Sequence, residues 1–390
     1  MKGKNQKNLK EENTSVILKL IHENRGISRA DIVRLTKLAP PTVSRIVSFL
    51  IGNSLTNEEK GETNNIGRKP FSLYFNGDNF YVLSIEISYL YLKFGIVTIS
   101  GKVIKTETVN TTVNLTENDL KDKLFEIGNT LLNNFKKEKF LGIGISAPGM
   151  IDSENGIIIS VPNLSHIKRV NIQDTISNYF HLPVLIANDA NAEAVGEKYF
   201  GEGKNVRDFI LLHIGYGVGA GIILDKKLYA GNFGVSGEIG HTSINRNDGK
   251  ICDCGNKGCV ELYVGYKQII EDCSKATKVK ITNLEEVRSL LLEDNKQVSE
   301  IIREKGELIG YVLVNAVNLL APQKIVVTGP VTDLGDYILN PIKKVVEERS
   351  FYEIGKKIPI VASKLKNNSG LIGAMTIVLD NFLEKPYTYL

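Results

Sequence analysis

Most of the chain runs twice through the same order of elements, in which strand-like segments are followed by alternating helices and strands. In the first set, we predict strands over residues 81–87, 92–99, 103–109, 140–146 and 184–187, and a helix over 117–137. In the second set, which begins at residue 208, we predict strands over 209–214, 221–224 and 324–328, a hairpin over 225–228, and helices over 260–275, 284–292, 298–320 and 370–383. This order predicts an α/β fold of two lobes with a ligand-binding cleft between them.

The first seventy residues carry the positive charge of the chain. They contain 13 Lys and Arg against 7 Asp and Glu, whereas the remaining residues contain 35 basic and 37 acidic side chains. A basic segment on a near-neutral body indicates an anionic partner for that segment alone. No run approaches the ~20 apolar residues of a membrane span, and the N-terminal lysines precede no apolar stretch typical of a secretion signal. We therefore expect a cytoplasmic protein with no membrane partner.

Three short helices and a hairpin are predicted within residues 1–76. The first helix is predicted over 14–24, the second begins after Ser28, which can cap it, and the third opens at Pro40. Strand-like segments at 54–59 and 71–76 then flank a glycine-bearing tip. This pattern is typical of a winged helix-turn-helix that binds double-stranded DNA. The alternative is a small helical interaction module with an exposed basic loop.

The candidate DNA contacts lie on the third helix and at the hairpin tip. They are polar residues off the apolar side of the helix and two adjacent cations of the wing: Thr42, Ser44, Arg45, Ser48, Arg68 and Lys69. Hydroxyls and arginine suit phosphates and base edges in a major groove, and the wing cations suit the DNA backbone or minor groove.

Three of the four cysteines, Cys252, Cys254 and Cys259, lie within eight residues, and His241 precedes them by ten intervening residues. Such crowding makes a poor disulfide framework, whereas three thiolates and one imidazole fill a tetrahedral zinc shell with no open position. The sequence therefore predicts a structural Zn²⁺ site, with free thiols or a redox pair as the alternative. The same loop would bring Glu238 and Glu261 into one neighbourhood.

These motifs together resemble those of the ROK family, whose name abbreviates repressor, open reading frame, kinase. The resemblance covers nearly the whole chain and rests on the winged helix, Ala147-Pro148-Gly149, Asn188-Asp189-Ala190-Asn191, the glycine turn at 215–221 and the segment from Glu238 through Glu261. The segments 67–70 and 236–241 are most similar to the xylose-repressor branch. The fold that the resemblance implies is an actin-like, ribonuclease-H-like pair of α/β lobes with a zinc loop.

The resemblance also implies a sugar site formed by Asn163, Asn188, Asp189, Glu238, His241 and Glu261. Carboxylates and amides form paired hydrogen bonds with vicinal hydroxyls, and in the family's kinases the residue at position 189 is the general base. Those kinases carry Asp-x-Gly-Gly-Thr or a similar loop after the first strand, where this chain has Glu86-Ile87-Ser88-Tyr89-Leu90. Bulky Tyr89 and Leu90 predict a damaged or absent nucleotide loop, with the glycines at 215–221 serving close packing. Asp189 would then accept a hydrogen bond from the sugar; its alternative role is to cap the following helix.

The sequence as a whole predicts a sugar-responsive transcriptional repressor without enzymatic activity. We expect a DNA-binding domain over 1–76 and a sensing domain over 77–390, whose lobes comprise about 77–190 with the C-terminal helix and about 191–370. The expected partners are operator DNA, a small sugar effector (xylose or glucose) and further copies of the chain in a homodimer or dimer of dimers. The alternatives are a ROK-type sugar kinase that carries a helix-turn-helix, an activator, or a repressor that answers to a phosphorylated or N-acetylated sugar.

Overall fold

The computed structural model describes residues 6–60, 71–112, 115–161, 166–245 and 247–389. Its N-terminal part is a three-helix bundle beside a small antiparallel sheet in the order β1-β3-β2. The elements are α1 (Gln6–Glu23), β1 (Ile27–Ser28), α2 (Arg29–Thr36), α3 (Pro40–Gly52), β2 (Thr56–Lys60) and β3 (Phe71–Phe75). The winged helix-turn-helix is confirmed, although the first helix begins at Gln6 rather than at residue 14.

The second helix of this module begins where its sequence provides a cap. The Oγ of Ser28 accepts a hydrogen bond from the Asp31 backbone N–H at 3.1 Å, and the Asp31 carboxylate accepts one from the Ser28 N–H at 3.4 Å. This reciprocal capping box satisfies two amides that lack partners within the helix. The guanidinium of Arg29 binds the Glu58 carboxylate at 2.8 and 3.0 Å and thereby ties α2 to the wing strand β2.

The first lobe is built on a five-stranded sheet in the order β11-β7-β4-β5-β6, with a separate three-stranded sheet β10-β9-β8. Its elements are β4 (Tyr81–Ile87), β5 (Tyr91–Thr98), β6 (Val103–Asn110), α4 (Glu117–Leu132), β7 (Phe140–Ala147), β8 (Met150–Asp152), β9 (Ile157–Ser160), β10 (Lys168–Asn171), α5 (Ile172–Phe180) and β11 (Val184–Asn188). Strands β4, β7 and β11 are parallel, so their carboxyl ends meet at one edge of the sheet. The helix α4 ends at Leu132, which two asparagines follow, rather than at residue 137 as predicted.

The second lobe has the sheet order β14-β13-β12-β15-β16, in which β12, β15 and β16 are parallel. The elements from the end of the first sheet onward are α6 (Asp189–Phe200), β12 (Phe209–Ile214), β13 (Val218–Leu224), β14 (Lys227–Leu228), α7 (Glu261–Val264), α8 (Tyr266–Thr277), α9 (Leu284–Leu292), α10 (Lys296–Leu320), β15 (Lys324–Thr328), α11 (Asp336–Arg349), α12 (Tyr352–Lys356), β16 (Ile360–Ala362) and α13 (Ser369–Glu384). The α/β fold with two lobes is confirmed.

Two sequence predictions for this lobe are wrong in detail. The helix predicted over 260–275 is two helices, because Gly265 adopts extended backbone (ψ 156°) between α7 and α8. The glycine-rich segment 215–221 is a turn only up to Gly217, since β13 begins at Val218. A Cβ at Gly221 would lie 2.4 Å from the carbonyl oxygen of Ala190, so this glycine lets β13 pack closely on α6.

The closing helix α13 packs against α6, against the first sheet and against the N-terminal module. Ile17 and Leu18 of α1 share one apolar core with Leu371 and Met375 of α13. The junction also contains polar and aromatic contacts: Ser15 Oγ donates to the Leu383 carbonyl oxygen at 2.7 Å, Lys19 Nζ lies 2.5 Å from the Glu384 carboxylate, and the ring of Phe49 in α3 stacks on that of Tyr387 with centroids 5.1 Å apart. The N-terminal module is therefore docked on the body of the protein. None of the helices in the described ranges is long and apolar enough to cross a membrane.

Candidate functional site

A polar cavity lies between the lobes, where the carboxyl ends of the parallel strands of the first sheet face the turn between β12 and β13. The polar side chains that line it are Tyr89, Asn188, Asp189, His213, Ser236, Glu238, His241 and Glu261. The structure thus brings together five of the six side chains predicted to contact sugar. The sixth, Asn163, lies outside the described residues.

The junction of β11 and α6 positions Asn188 and Asp189. Asn188 caps α6, since its Oδ1 accepts from the Asn191 N–H at 3.3 Å, and its Nδ2 donates to the Gly149 carbonyl oxygen at 3.1 Å. Asp189 is the first residue of the helix, and its Oδ1 accepts from the Ala190 N–H at 2.8 Å. The capping role therefore belongs to Asn188. Burial raises the pKa of the Asp189 carboxyl above its ordinary value.

Glu238 and Glu261 reach the same cavity from the loop that carries the cysteines. Glu261 Oε2 accepts from the Val218 N–H at 2.9 Å, which fixes it against the start of β13. Glu238 follows Gly237, whose φ of +83° favours glycine and whose Cβ would lie 1.7 Å from the Ala220 carbonyl oxygen. Burial raises the pKa of Glu238, and the negative charges of Asp189 and Glu261 add to the rise. The cavity is consequently rich in hydrogen-bond acceptors.

The predicted metal ligands lie together as one group. The ligand atoms of His241, Cys252, Cys254 and Cys259 are all within 4.8 Å of one another. Cys252 Sγ lies 3.6 Å from His241 Nδ1, and Cys254 Sγ lies 3.6 Å from Cys259 Sγ. These separations match the edge of about 3.7 Å expected for a tetrahedron with metal–sulfur bonds of about 2.3 Å. The group could hold one metal ion.

His241 is oriented so that its two nitrogens face different partners. Its Nδ1 faces the thiols, while its Nε2 lies 3.9 Å from Glu238 Oε2, on the side of the cavity. Metal ligation through Nδ1 and contact with a cavity ligand through Nε2 are therefore compatible in one imidazole.

Two groups beside the cavity were missed by the sequence analysis. His213, near the end of β12, holds its Nδ1 2.8 Å from Glu193 Oε2, and Glu193 is buried in α6. Burial alone would lower the pKa of His213, but the charge and hydrogen bond of Glu193, together with Asp189 and Glu86, raise it to about 9. A single histidine in an apolar strand belongs to no motif, so only the topology, which aims the end of β12 at the cleft, could have identified it.

Tyr89 fills the space between the turn after β4 and the glycine turn. Its side chain is buried, with only 8% exposed, and its ring lies 5.7 Å from that of Tyr216, which in turn stacks on Tyr266 at 4.8 Å. A Cβ at Gly217 would lie 3.5 Å from the Tyr89 hydroxyl. The Tyr89 phenol therefore occupies the space beside the glycine turn, while Leu90 is 41% exposed.

The candidate DNA contacts on α3 lie on the side opposite its apolar face. Ser44, Arg45 and Ser48 are exposed and Thr42 is half-buried, whereas Val43, Ile46, Val47 and Leu50 are buried. Arg68 and Lys69 lie outside the described residues, between the end of β2 and the start of β3.

Comparison with known proteins identifies the class of this chain. The ROK family model matches residues 82–381, and the chain belongs to the ROK family. It is 32% identical over 395 residues to a xylose repressor of Caldicellulosiruptor bescii, a match that covers 97% of this chain and 98% of that protein.

Solved structures similar to this chain include a ROK family regulator and a ROK family kinase. A ROK family transcriptional regulator, a homolog of the E. coli Mlc protein, superposes with a TM-score of 0.86 at 25% identity and covers 98% of both chains. A ROK family glucokinase from Streptomyces griseus, solved with glucose and AMPPNP, superposes with a TM-score of 0.70 at 25% identity, over 77% of this chain and 99% of the kinase. The likeness to the kinase thus spans less of the chain than the likeness to the regulator.

Proposed function

We propose that this chain is a transcriptional repressor that binds operator DNA and releases it when a sugar binds between the lobes. The observation that carries the proposal is the presence of two sites in one docked structure: an exposed polar face of α3 and an acceptor-rich cavity in the cleft. Similarity to a xylose repressor and to a ROK regulator over nearly the whole chain supports it. A repressor of this kind acts in the cytoplasm, where its operator lies.

The effector we propose is a free, uncharged sugar, with xylose first and glucose second. Asn163, Asn188, Asp189, Glu238, His241 and Glu261 would bind it. Carboxylates accept hydrogen bonds from hydroxyl groups, and a buried carboxylate without such a partner is costly. A phosphorylated sugar would bring its charge next to Asp189, Glu238 and Glu261, which disfavours it.

We propose Zn²⁺ as the ion held by His241, Cys252, Cys254 and Cys259. Sulfur and imidazole donors suit zinc, and four protein ligands leave no open position for catalysis. The ion would stabilise the loop from 238 to 261 and so keep Glu238 and Glu261 at the cavity. Burial raises the pKa of the Cys259 thiol to about 12, so a bound cation is what would keep this sulfur ionised at neutral pH.

DNA binding is assigned to the segment 1–76, and sugar binding to 77–390. Thr42, Ser44, Arg45 and Ser48 would enter the major groove, with Arg68 and Lys69 on the backbone or minor groove. A homodimer, or a dimer of dimers, would place two modules on two half-sites. Lobe closure around the sugar would then change their spacing and lower the affinity for DNA.

A sugar kinase is the second candidate, because Asp189 stands at the position of the base in the kinases that the chain resembles. Tyr89 argues against it, since its ring fills the space beside the glycine turn that a nucleotide phosphate would need. An assay of sugar-dependent ATP consumption separates the two functions.

The proposed function is tested by DNA binding in the presence of sugars. Duplexes selected by the purified protein from a random pool provide an operator, and fluorescence anisotropy follows its release. We expect D-xylose or D-glucose to release the DNA and their phosphate esters to leave it bound. DNA binding that is indifferent to every pentose and hexose would refute the proposal.

A further inference from the structure

His213 lines the cavity and has one ring nitrogen without a hydrogen-bond partner among the described residues. Its Nδ1 is bonded to Glu193 at 2.8 Å, its side chain is 18% exposed, and its Nε2 forms no hydrogen bond with any described residue. Gly215 follows two residues later in the turn, and a Cβ there would lie 2.7 Å from that Nε2. The glycine therefore leaves the nitrogen uncovered on the side of the turn.

The remaining polar groups of the cavity supply acceptors more readily than donors. Asp189, Glu238 and Glu261 are carboxylates. The Oδ1 of Asn188 already accepts a hydrogen bond from α6, and its Nδ2 already donates one to the Gly149 carbonyl oxygen. A sugar hydroxyl both donates and accepts, so carboxylates alone would leave the lone pairs of the hydroxyl unsatisfied. The Tyr89 hydroxyl and the Nε2 of His241 lie at the same cavity and can donate, and a charged N–H would add a stronger donor to them.

The geometry of α6 places this donor beside Asp189. Glu193 follows Asp189 by four residues, and side chains at this spacing lie on the same face of a helix about one turn apart. His213 is bonded to Glu193, and His213 and Asp189 both line the cavity, so the two side chains belong to the same wall. The charges of Glu193, Asp189 and Glu86 favour the protonated imidazole, in which both nitrogens are donors.

We propose that His213 is a sugar-binding residue that donates its Nε2–H to the same hydroxyl whose proton Asp189 accepts, with Glu193 as its positioning residue. The inference rests on the proposed sugar-sensing function and deepens it, because it defines the effector as a neutral polyol with a hydroxyl at that point. One hydroxyl is then held by a donor and an acceptor together, which fixes its position and rejects sugars that lack it.

The first test leaves the protein unaltered. The chain has 5 histidines, so labelling with ¹⁵N-histidine gives a simple spectrum of the full-length, metal-loaded protein. Saturation with D-xylose or D-glucose should shift the Nε2 resonance of His213 and leave that of exposed His181 unchanged. A His213 signal that stays in place while the sugar binds would overturn the proposal, whatever the stability of any variant.

The second test uses variants and deoxy-sugars in isothermal titration calorimetry. His213→Asn can keep a bond to Glu193 but cannot reach the cavity, and it should weaken sugar binding about 10- to 100-fold. His213→Gln, whose longer amide can approach the Nε2 position, should recover part of that loss. His181→Asn, a matched change at the exposed end of α5, should bind as wild type does.

Deoxy-sugars identify the shared hydroxyl. A sugar that lacks it should bind wild type poorly, and His213→Asn and Asp189→Asn should each discriminate little between that sugar and its parent. Discrimination at different hydroxyls in the two variants, or unchanged affinity in His213→Asn, would refute this inference alone. Wild-type protein that binds none of the sugars would refute the proposed function as well.

Discussion

Replacement of Asp189 by asparagine should produce a protein that holds its operator in the presence of sugar. Asn keeps the oxygen that accepts from the Ala190 N–H at 2.8 Å and replaces the other oxygen with an N–H₂ donor. The loss of one hydrogen bond to a charged group is worth about 1.5–3 kcal/mol, so sugar affinity should fall about 10- to 100-fold. Affinity for DNA in the absence of sugar should not change, because Asp189 lies in the cleft between the lobes.

The same substitution should leave the protein at least as stable as wild type. Burial raises the pKa of Asp189 in the folded protein, so above that pKa its ionised form lowers the free energy of unfolding. Asparagine removes the buried charge and keeps the hydrogen bond at the start of α6. The melting temperature at pH 7 should therefore equal or exceed that of wild type, which separates loss of binding from loss of fold.

Calorimetry with the sugar and anisotropy with the operator measure the two effects. Asp336→Asn is the matched control, because Asp336 is also the first residue of its helix but is exposed and remote from the cavity. The reasoning fails if Asp189→Asn binds sugar as tightly as wild type, or if Asp336→Asn loses sugar binding to the same extent.

Four other outcomes follow from the structure. Cys254→Ser should lose its metal and unfold more easily by several kcal/mol; one equivalent of metal per chain with an unchanged melting curve would contradict this. Arg45→Ala should weaken operator binding by about 1–3 kcal/mol in anisotropy titrations without changing sugar affinity, and full-strength binding would count against α3 as the DNA-contacting helix. Wild type should show no sugar-dependent ATP consumption in a coupled assay, where turnover on the order of 1–100 per second would establish the kinase instead. The pKa of His213 is about 9 in the folded chain against 6.5 for an ordinary histidine. The stability that protonated His213 confers is therefore complete below ~pH 6.5 and is lost as the pH rises through ~9. Urea titrations should show this fall in the free energy of unfolding in wild type and not in His213→Gln.

The parts of the fold that the sequence predicted are those with strong local patterns. Long strands such as β4 and β7, the capped helix α2 and the cysteine loop each carry their signal within a short stretch of chain. The small sheet β8–β10 was not predicted, since strands of 3 or 4 residues are too short for alternation to be evident. The helix α6 was expected only as the helix that follows Asp189, and its extent was not predicted, because it is buried on almost all sides and therefore has little amphipathic pattern.

The candidate site was predictable where a motif carried it and not where packing created it. The carboxylates at 189, 238 and 261 belong to recognisable segments, and the prediction of a damaged or absent nucleotide loop rests on the bulk of Tyr89 and Leu90 in the segment 86–90. The pairing of His213 with Glu193 joins a strand and a helix 20 residues apart along the chain, at positions with no motif. Only the three-dimensional fold makes these two side chains partners.

The docking of the N-terminal module on α13 restricts how such regulators can be recombined. The contacts of Ser15, Lys19 and Phe49 are made with Leu383, Glu384 and Tyr387, at the far end of the sequence. In a chimera, a new DNA-binding module joined at residue 76 would have to pack against a surface whose side chains fit the original module. To keep its response to sugar, the graft would have to include the last turn of α13 and the residues after it, so the N-terminal module and the segment 383–387 form a single unit of exchange.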